Sequence, residues 1–490
     1  MSISGSFSNA LSGLNVTGRL AEVASNNLAN ALTKGYARQS VDISAQALEG
    51  RGAGVRVDQV VRNSAPELTA TRRLADGDAA AVDIQAESLA RVGAAFGEAT
   101  GDDGLFRRVE QFEASLRQLA ETPEEESRQI AAVEAAKDVA SFLNELSDQI
   151  ASERQDADFR IAQQVETVNR NIDQIDKLNE KITRLSVGGR DVAGLVNQRE
   201  LLIDEVAAIV PVRVLPQENN KTFLTTVQGQ FLLAEEPVEL EFTRSPIITS
   251  GMIYDPVGSG ALSGVTLSGL DLTPGATGAQ TLTAGSLFGN FKVRDELGLD
   301  LTTQIDEFAA DLIQRFEDSG VDPTLLPGDA GLFTDGGASF DPTIVDGLAQ
   351  RISVNALADP SQGGDATRLR DGLNAVGSGP TFSDALPRAM LDAMTAPATV
   401  SVTGLSGTKS TFQIVSSIAS FTGERRTRLD AEASALISTR ETLAASEARE
   451  IGVDQDAELQ SLIQIEQAYA ANIQVIQTAS RMLEELTEIR

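Results

Sequence analysis

The groups in this chain that could do chemistry are few in kind, because three residue types are missing. There is no Cys, no His and no Trp among 490 residues. Thiol nucleophiles, disulfides, Cys/His zinc sites and every His-based triad are therefore excluded. Carboxylates, Lys, Ser, Thr and three Tyr remain. Asp and Glu number 71 against 40 Lys plus Arg, a net charge of −31. Such a chain repels a phosphate backbone, so no nucleic-acid partner is expected. Aromatic residues, at 4%, are too sparse for a base-stacking platform or an ordinary ligand pocket.

Four motifs come near to a chemical site, and each has a plainer reading. Gly404-Leu405-Ser406-Gly407-Thr408-Lys409-Ser410 resembles a phosphate loop, but Thr408 separates the Gly from the Lys and the leading spacing is short. A turn followed by a helix cap explains it better. Gly258-Ser259-Gly260-Ala261-Leu262-Ser263-Gly264 lacks the βα context of a dinucleotide loop and reads as a loop between short strands. Asp102-Asp103-Gly104, and Asp322 with Asp329, lack the alternating ligand spacing of a calcium loop. A carboxylate pair of the glycosidase kind is not singled out among so many acids. No cofactor, metal or catalytic residue is expected.

One constellation stands apart. Ser25-Asn26-Asn27-Leu28-Ala29-Asn30 is followed by Gly35-Tyr36-Ala37-Arg38-Gln39. On spacing alone the favoured reading is a helix ended by Asn side chains that compete for backbone bonds.

The elements around it are helical at both ends of the chain. Phe7, Leu14, Ala21 and Leu28 repeat every seven residues, with Ala10, Thr17, Ala24 and Ala31 three positions on and Leu11 widening the stripe. At the other end Leu462, Tyr469, Ile476 and Leu483 form one row, and Ile465, Asn472, Ala479 and Leu486 another. Asn472 is a polar intruder of the kind that fixes register in a seam. Neither stripe can be buried alone, so the two helices are expected to pair with each other or with other subunits.

The longest regular stretch is announced by Thr122-Pro123-Glu124-Glu125, read as a capping box with Thr122 at N-cap. No Pro or Gly then interrupts it until Gly188-Gly189. Further helices are expected at 191–209, 295–318, 384–395 and 410–449. Short β-like runs at 212–215, 222–227 and 231–233 open a Gly- and Pro-punctuated middle. The fold class is thus mainly α with β insertions: terminal helices paired as a coiled coil, a long α-helical bundle and an outer β domain. In chain order this gives the N-terminal half of the coiled coil at 1–50, a helical rod at 51–210, a small β-rich insert at 211–285 and the rod continued at 286–320. A loop-rich outer segment at 321–409, the last part of the rod at 410–452 and the C-terminal half of the coiled coil at 453–490 complete it. Deletion of residues 237–274 is expected to leave assembly through the terminal helical seams largely intact. The uncharged run 272–291 is too rich in Gly and Thr for a bilayer span, and residues 1–18 lack the basic and apolar regions of a cleavable signal. No membrane insertion is expected.

The motif Ala24-Ser25-Asn26-Asn27-Leu28-Ala29-Asn30 with Gly35-Tyr36 resembles the signature shared by bacterial flagellar rod, hook and hook-associated proteins. Ile451-Gly452-Val453-Asp454, Gln467-Ala468-Tyr469-Ala470-Ala471-Asn472 and Gln474-Val475-Ile476-Gln477-Thr478-Ala479 narrow this, being similar to the end of the hook-associated protein 1 family. Leu195-Val196-Asn197-Gln198-Arg199-Glu200-Leu201-Leu202 and Gly285-Ser286-Leu287-Phe288-Gly289 agree. The resemblance implies a non-enzymatic structural protein of the flagellum with a reduced outer domain. It implies type III export with a cytoplasmic chaperone, and an extracellular place at the hook–filament junction. The partners it implies are a homo-oligomeric ring, the hook protein and the second junction protein. Subunit-interface residues are then expected at Phe7, Leu11, Leu14, Asn26, Asn27, Leu28, Asn30, Tyr36, Leu462, Ile465, Tyr469, Asn472, Ile476, Leu483 and Leu486. The alternatives are another axial protein, such as the hook subunit or second junction protein, or a secreted coiled-coil binding protein or effector.

Overall fold

A computed structural model describes residues 3–33, 35–48, 51–96, 104–188, 190–258 and 260–488. The chain runs α1 (Ile3–Asn30), β1 (Gln39–Leu48), β2 (Arg51–Arg62), α2 (Pro66–Phe96), α3 (Leu105–Glu121), α4 (Glu126–Val187) and α5 (Ala193–Ile209). Short strands follow: β3 (Val212–Pro216), β4 (Thr222–Thr226), β5 (Phe231–Leu233), β6 (Leu240–Glu241), β7 (Thr266–Leu267) and β8 (Leu270–Asp271). Then come α6 (Ser286–Lys292), a π-turn (Val293–Leu297), α7 (Gly298–Glu317), β9 (Phe333–Asp335), α8 (Leu348–Arg351), β10 (Ile352–Val354), α9 (Arg368–Asp371) and α10 (Ala385–Thr395). The hairpin β11 (Ala398–Val402) and β12 (Leu405–Lys409) leads into α11 (Thr411–Ile451) and α12 (Gln455–Glu488). Mainly α with small β insertions is the observed class, and the long terminal helices are paired.

These elements form two compact units. The first comprises Met1–Ala79, Val165–Leu240 and Ala435–Arg490; the second comprises Ala80–Gln164 and Glu241–Ser434. In the first unit α1 packs on α12 and on the β1–β2 hairpin. The hairpin has no counterpart in the sequence reading. Register shifts at Asp42/Ile43 and Ala45/Ala47 break the period-two alternation that would have announced it. The α4 stripe continues into this unit through Val165, Val168, Ile172, Ile175 and Ile182, all buried as their three/four spacing requires.

The second unit has a dense apolar core. α3 is amphipathic and buries Leu105, Val109, Phe112, Leu116 and Leu119. α7 is buried on most of its surface, and Phe112, Phe316 and Phe333 stack edge-on or tilted with centroids 5.3–5.9 Å apart. Aromatic residues are rare in this chain, and here they are concentrated.

One expectation is corrected. Thr122 is not the cap of α4. Its N–H and hydroxyl both go back to Gln118 O, at 3.2 and 3.3 Å, and close α3, while α4 starts at Glu126. The Thr122 hydroxyl back-bonds to the carbonyl four residues earlier, a local alternative to capping the next helix. The segment at 245–263 is tied into the core of the second unit. Arg154, 1% exposed, donates to the carbonyls of Thr249, Ser250 and Met252, and Arg294 donates to Ser263 O at 2.9 Å and Asp158 Oδ1 at 2.7 Å. The π-turn places Arg294 and Asp295 side by side in this buried cluster, where they bond to each other.

The near-miss motifs resolve as structural. Gly404 and Gly407, with φ of +77° and +96°, shape the β11–β12 hairpin, and Ser410 exchanges capping bonds with Gln413 at the start of α11. Asp322 accepts from Thr324 and Leu373, and Asp329 from Leu326 and Asn374, so both tie loops. Asp102 and Asp103 lie outside the described residues, as does Ser259.

Candidate functional site: the clasp of the chain ends

The Asn-rich end of α1 meets the junction of α11 and α12 in the first unit. Asn27 is 1% exposed, and all four hydrogen-bonding capacities of its carboxamide are used. Oδ1 accepts from Gln39 N at 2.9 Å and from the Tyr36 hydroxyl at 3.0 Å. Nδ2 donates to Gln39 O at 2.8 Å and to Glu458 Oε1 at 3.3 Å. Toward Gln39 the side chain therefore acts like a paired strand residue. Glu458, 2% exposed, also accepts from Arg38 Nε at 2.6 Å.

Backbone bonds complete the closure. Arg38 N donates to Ile451 O, and Asn63 N to Arg38 O, both at 2.8 Å. Asp454 caps α12, its Oδ1 accepting from the amides of Asp456 and Ala457 at 3.0 and 3.2 Å. The turn that lets the chain come back needs Gly35, at φ +72°. A Cβ there would meet Leu201 Cδ2 at 2.2 Å. Asn197 Oδ1 accepts from Ala37 N at 3.4 Å and from Arg62 Nε at 2.8 Å, joining α5 to the same point. Burial raises the Tyr36 hydroxyl pKa, and the carboxylates of Glu458 and Asp191 add to this, so the phenol stays a donor. Burial lowers the Arg62 pKa.

The sequence-expected interface residues separate into groups. Asn27 and Tyr36 enter the clasp. Asn26 donates to the Tyr36 hydroxyl at 3.3 Å, and Asn30 donates back to Asn26 Oδ1 at 3.0 Å. Phe7, Leu14, Leu28, Leu462, Asn472 and Ile476 are half-buried, and Ile465 is buried. Leu11, Tyr469 and Leu483 remain exposed at 45%, 40% and 44%. The Leu486 side chain lies outside the described residues. On α1 the buried residues are Ala10, Val16, Thr17, Val23, Ala24 and Asn27, so the contact line lies to one side of the Phe7–Leu14–Leu28 row.

Sequence reasoning missed Arg38, Asn197, Asp454 and Glu458 as clasp residues. The first three fall inside the quoted motifs, which is a usable signal. Nothing in the sequence selects Glu458 from the other acids. Among the described residues, no group of three or more carboxylates is arranged to hold a metal ion, and no helix is long and apolar enough to cross a membrane.

Residues 89–331 match the model of the flagellar hook-associated protein FlgK helical domain, and residues 450–489 that of the flagellar basal body rod FlgEFG protein C-terminal region. Paired terminal helices closed by this clasp, with those two matches, define a flagellar axial protein. Among curated relatives, flagellar hook-associated protein 1 of Escherichia coli is 24% identical over 98% of this chain and 99% of that one. The Bacillus subtilis protein of the same name is 28% identical over a segment spanning 42% of each chain. The Salmonella typhimurium one is 26% identical over 49% of this chain and 45% of that one. The solved structure of the flagellar hook junction protein FlgK from Burkholderia pseudomallei aligns at 20% identity and a TM-score of 0.44, over 55% of this chain and 47% of that one. The chain thus carries a match to the FlgK helical domain and is similar to hook-associated protein 1 along nearly the full length of both chains.

Proposed function

We propose that this chain acts at the hook–filament junction of the bacterial flagellum as a ring of copies, adapting one helical lattice to the next. The observation that carries the reading is the similarity to hook-associated protein 1 along nearly the full length of both chains. The clasp supports it: the chain ends are held together by saturated polar bonds, while α12 keeps Leu459, Ile463, Tyr469, Val475, Met482 and Leu483 exposed. Apolar surface of that kind, left after the chain has closed on itself, is available to neighbouring copies. The same surface is a hazard before assembly, which is the reason to place a cytoplasmic chaperone on it ahead of type III export. Hook protein and the second junction protein are the neighbours at either end, outside the cell.

The test is loss of the chain. Hooks should be complete but bare, with flagellin in the medium, and labelled protein in restored cells should form one thin band at the hook tip. Label along the whole hook, or normal filaments without the chain, would refute the reading.

A further inference from the structure

Two contacts between α1 and α12 report the same antiparallel register. Asn27 donates to Glu458 Oε1 at 3.3 Å near the clasp. Farther along, the Asn472 carboxamide lies on Gly13, where a Cβ would fall 2.8 Å from Oδ1 and 2.9 Å from Nδ2. Asn27 and Gly13 are fourteen residues apart on α1, as are Glu458 and Asn472 on α12. That separation is two heptads, so both contacts lie on one line of the seam.

Apolar packing along this line does little to choose a register. The buried α1 side chains between the two contacts are Val16, Thr17, Val23 and Ala24, and the α12 rows repeat with the heptad. A slip of seven residues would set similar groups against similar groups. The polar positions are different. In one direction of slip Asn472 comes to face Leu20; in the other Glu458 does. Either slip takes Glu458 from its bond with Asn27 and sets its carboxylate or the Asn472 carboxamide against the larger Leu20 side chain, away from the recess over Gly13.

We propose that Gly13 and Asn472 are a matched pair that selects the register of α1 on α12, and with it the apolar residues the terminal pair presents outward. Gly13 supplies the recess and Asn472 fills it. The group in the way of a Cβ is the end of the Asn472 side chain, not backbone, so a methyl at Gly13 would be accommodated by swinging the carboxamide out of its recess, and the register contact would go with it. The inference concerns pairing within one chain and does not depend on the junction-ring reading.

The full chain has no Cys, so introduced pairs report cleanly. Leu20→Cys with Ile465→Cys marks the observed register, midway between the two contacts. Val16→Cys with Ile476→Cys marks the one-heptad slip. In the otherwise natural chain the first pair should cross-link and the second should not. Asn472→Ala should raise the slipped product several-fold, and Gly13→Ala should lower the native product. Gly13→Ala combined with Asn472→Ala should recover the native product that Gly13→Ala alone loses, up to the level of Asn472→Ala, because the new methyl occupies space the carboxamide left. Unchanged yields in Asn472→Ala, or no restoration in the double variant, would overturn the proposal. Helicity by circular dichroism, followed in parallel, separates a change of register from loss of the helices.

Discussion

The two units hold themselves together by different means. In the second, Phe112, Phe316, Phe333 and the α7 side chains fill a core that needs no partner, and the buried arginines are satisfied from within. In the first, α1 and α12 meet along small side chains, and direction comes from the Asn27–Glu458 hydrogen bond and from the close fit of Asn472 over Gly13. Burial of apolar surface gives stability without direction, whereas hydrogen bonds to buried polar groups penalise every arrangement but one. The second unit therefore carries a large apolar core of its own. The first is built to be specific while keeping apolar surface in reserve.

The largest expected effect is in the second unit. Deleting residues 237–274 removes the carbonyls of Thr249, Ser250 and Met252 from Arg154, the Ser263 carbonyl from Arg294, and the Ser245 amide from Asp158. Arg154 already has its pKa lowered by burial. Arg154 would keep only the Arg294 carbonyl, and breaking a buried charged group's bonds costs on the order of 3–5 kcal/mol, so the deletion should unfold this unit in part. Urea denaturation should show a lost or early transition; an unchanged one would show that the arginines find water or new acceptors.

Next comes the clasp. Asn27→Ala leaves the Gln39 N–H and carbonyl unmatched in a buried site, and removes one bond each from Glu458 and Tyr36. The cost should be about 1–3 kcal/mol, confined to the first unit. Hydrogen exchange should rise at Gln39 and along α12 while the core helix α7 keeps its protection. Faster exchange in α7 as well would mean that the two units unfold together.

How much of this was legible in the sequence follows the same division. Heptad rows, helix stops and the β-like runs could be read because apolar periodicity is local; α5, α10, α11 and β3–β5 lie close to where the spacing put them. The Asn motif marked the right place but not its chemistry, since Asn27 works through Gln39 and through Glu458, which is 431 positions away. The hairpin β1–β2 was hidden by its bulges. The buried Arg154–Arg294 cluster was hidden because nothing local distinguishes a buried arginine from a solvated one. The buried α1 line is displaced from the strongest apolar row because the partner helix approaches over Gly13 and the alanines, where it can come closest.

A smaller effect depends on pH. Asp306, on α7, accepts from Gly347 N at 2.7 Å and Ala349 N at 2.8 Å, near Asp346 and Arg351. Burial raises its pKa to about 6, more than those two amide bonds lower it. The folded chain holds this proton to about pH 6, and the unfolded chain only to about pH 4. Between those values the folded state binds more protons, so stability falls as pH rises through the window. Asp306→Asn should flatten the dependence by about 1–3 kcal/mol between pH 4 and 7, measured by denaturation of the full chain at fixed ionic strength. A slope unchanged by the substitution would assign it to other carboxyls.

The smallest effect on the free chain should come from the reserve surface itself. Met482 and Leu483 are 49% and 44% exposed near the end of α12. Replacing both with Ser removes little buried area, so the stability of the isolated chain should change by no more than ~0.5 kcal/mol per site. If these residues face neighbouring copies, the same change removes apolar contact at every repeat of the ring, and filaments per cell should drop steeply. Normal filament numbers would show that this end of α12 is not used between copies. A large loss of stability in the free chain would mean that the first unit, like the second, depends on these residues for its own fold, and the contrast between the units would fail at this surface.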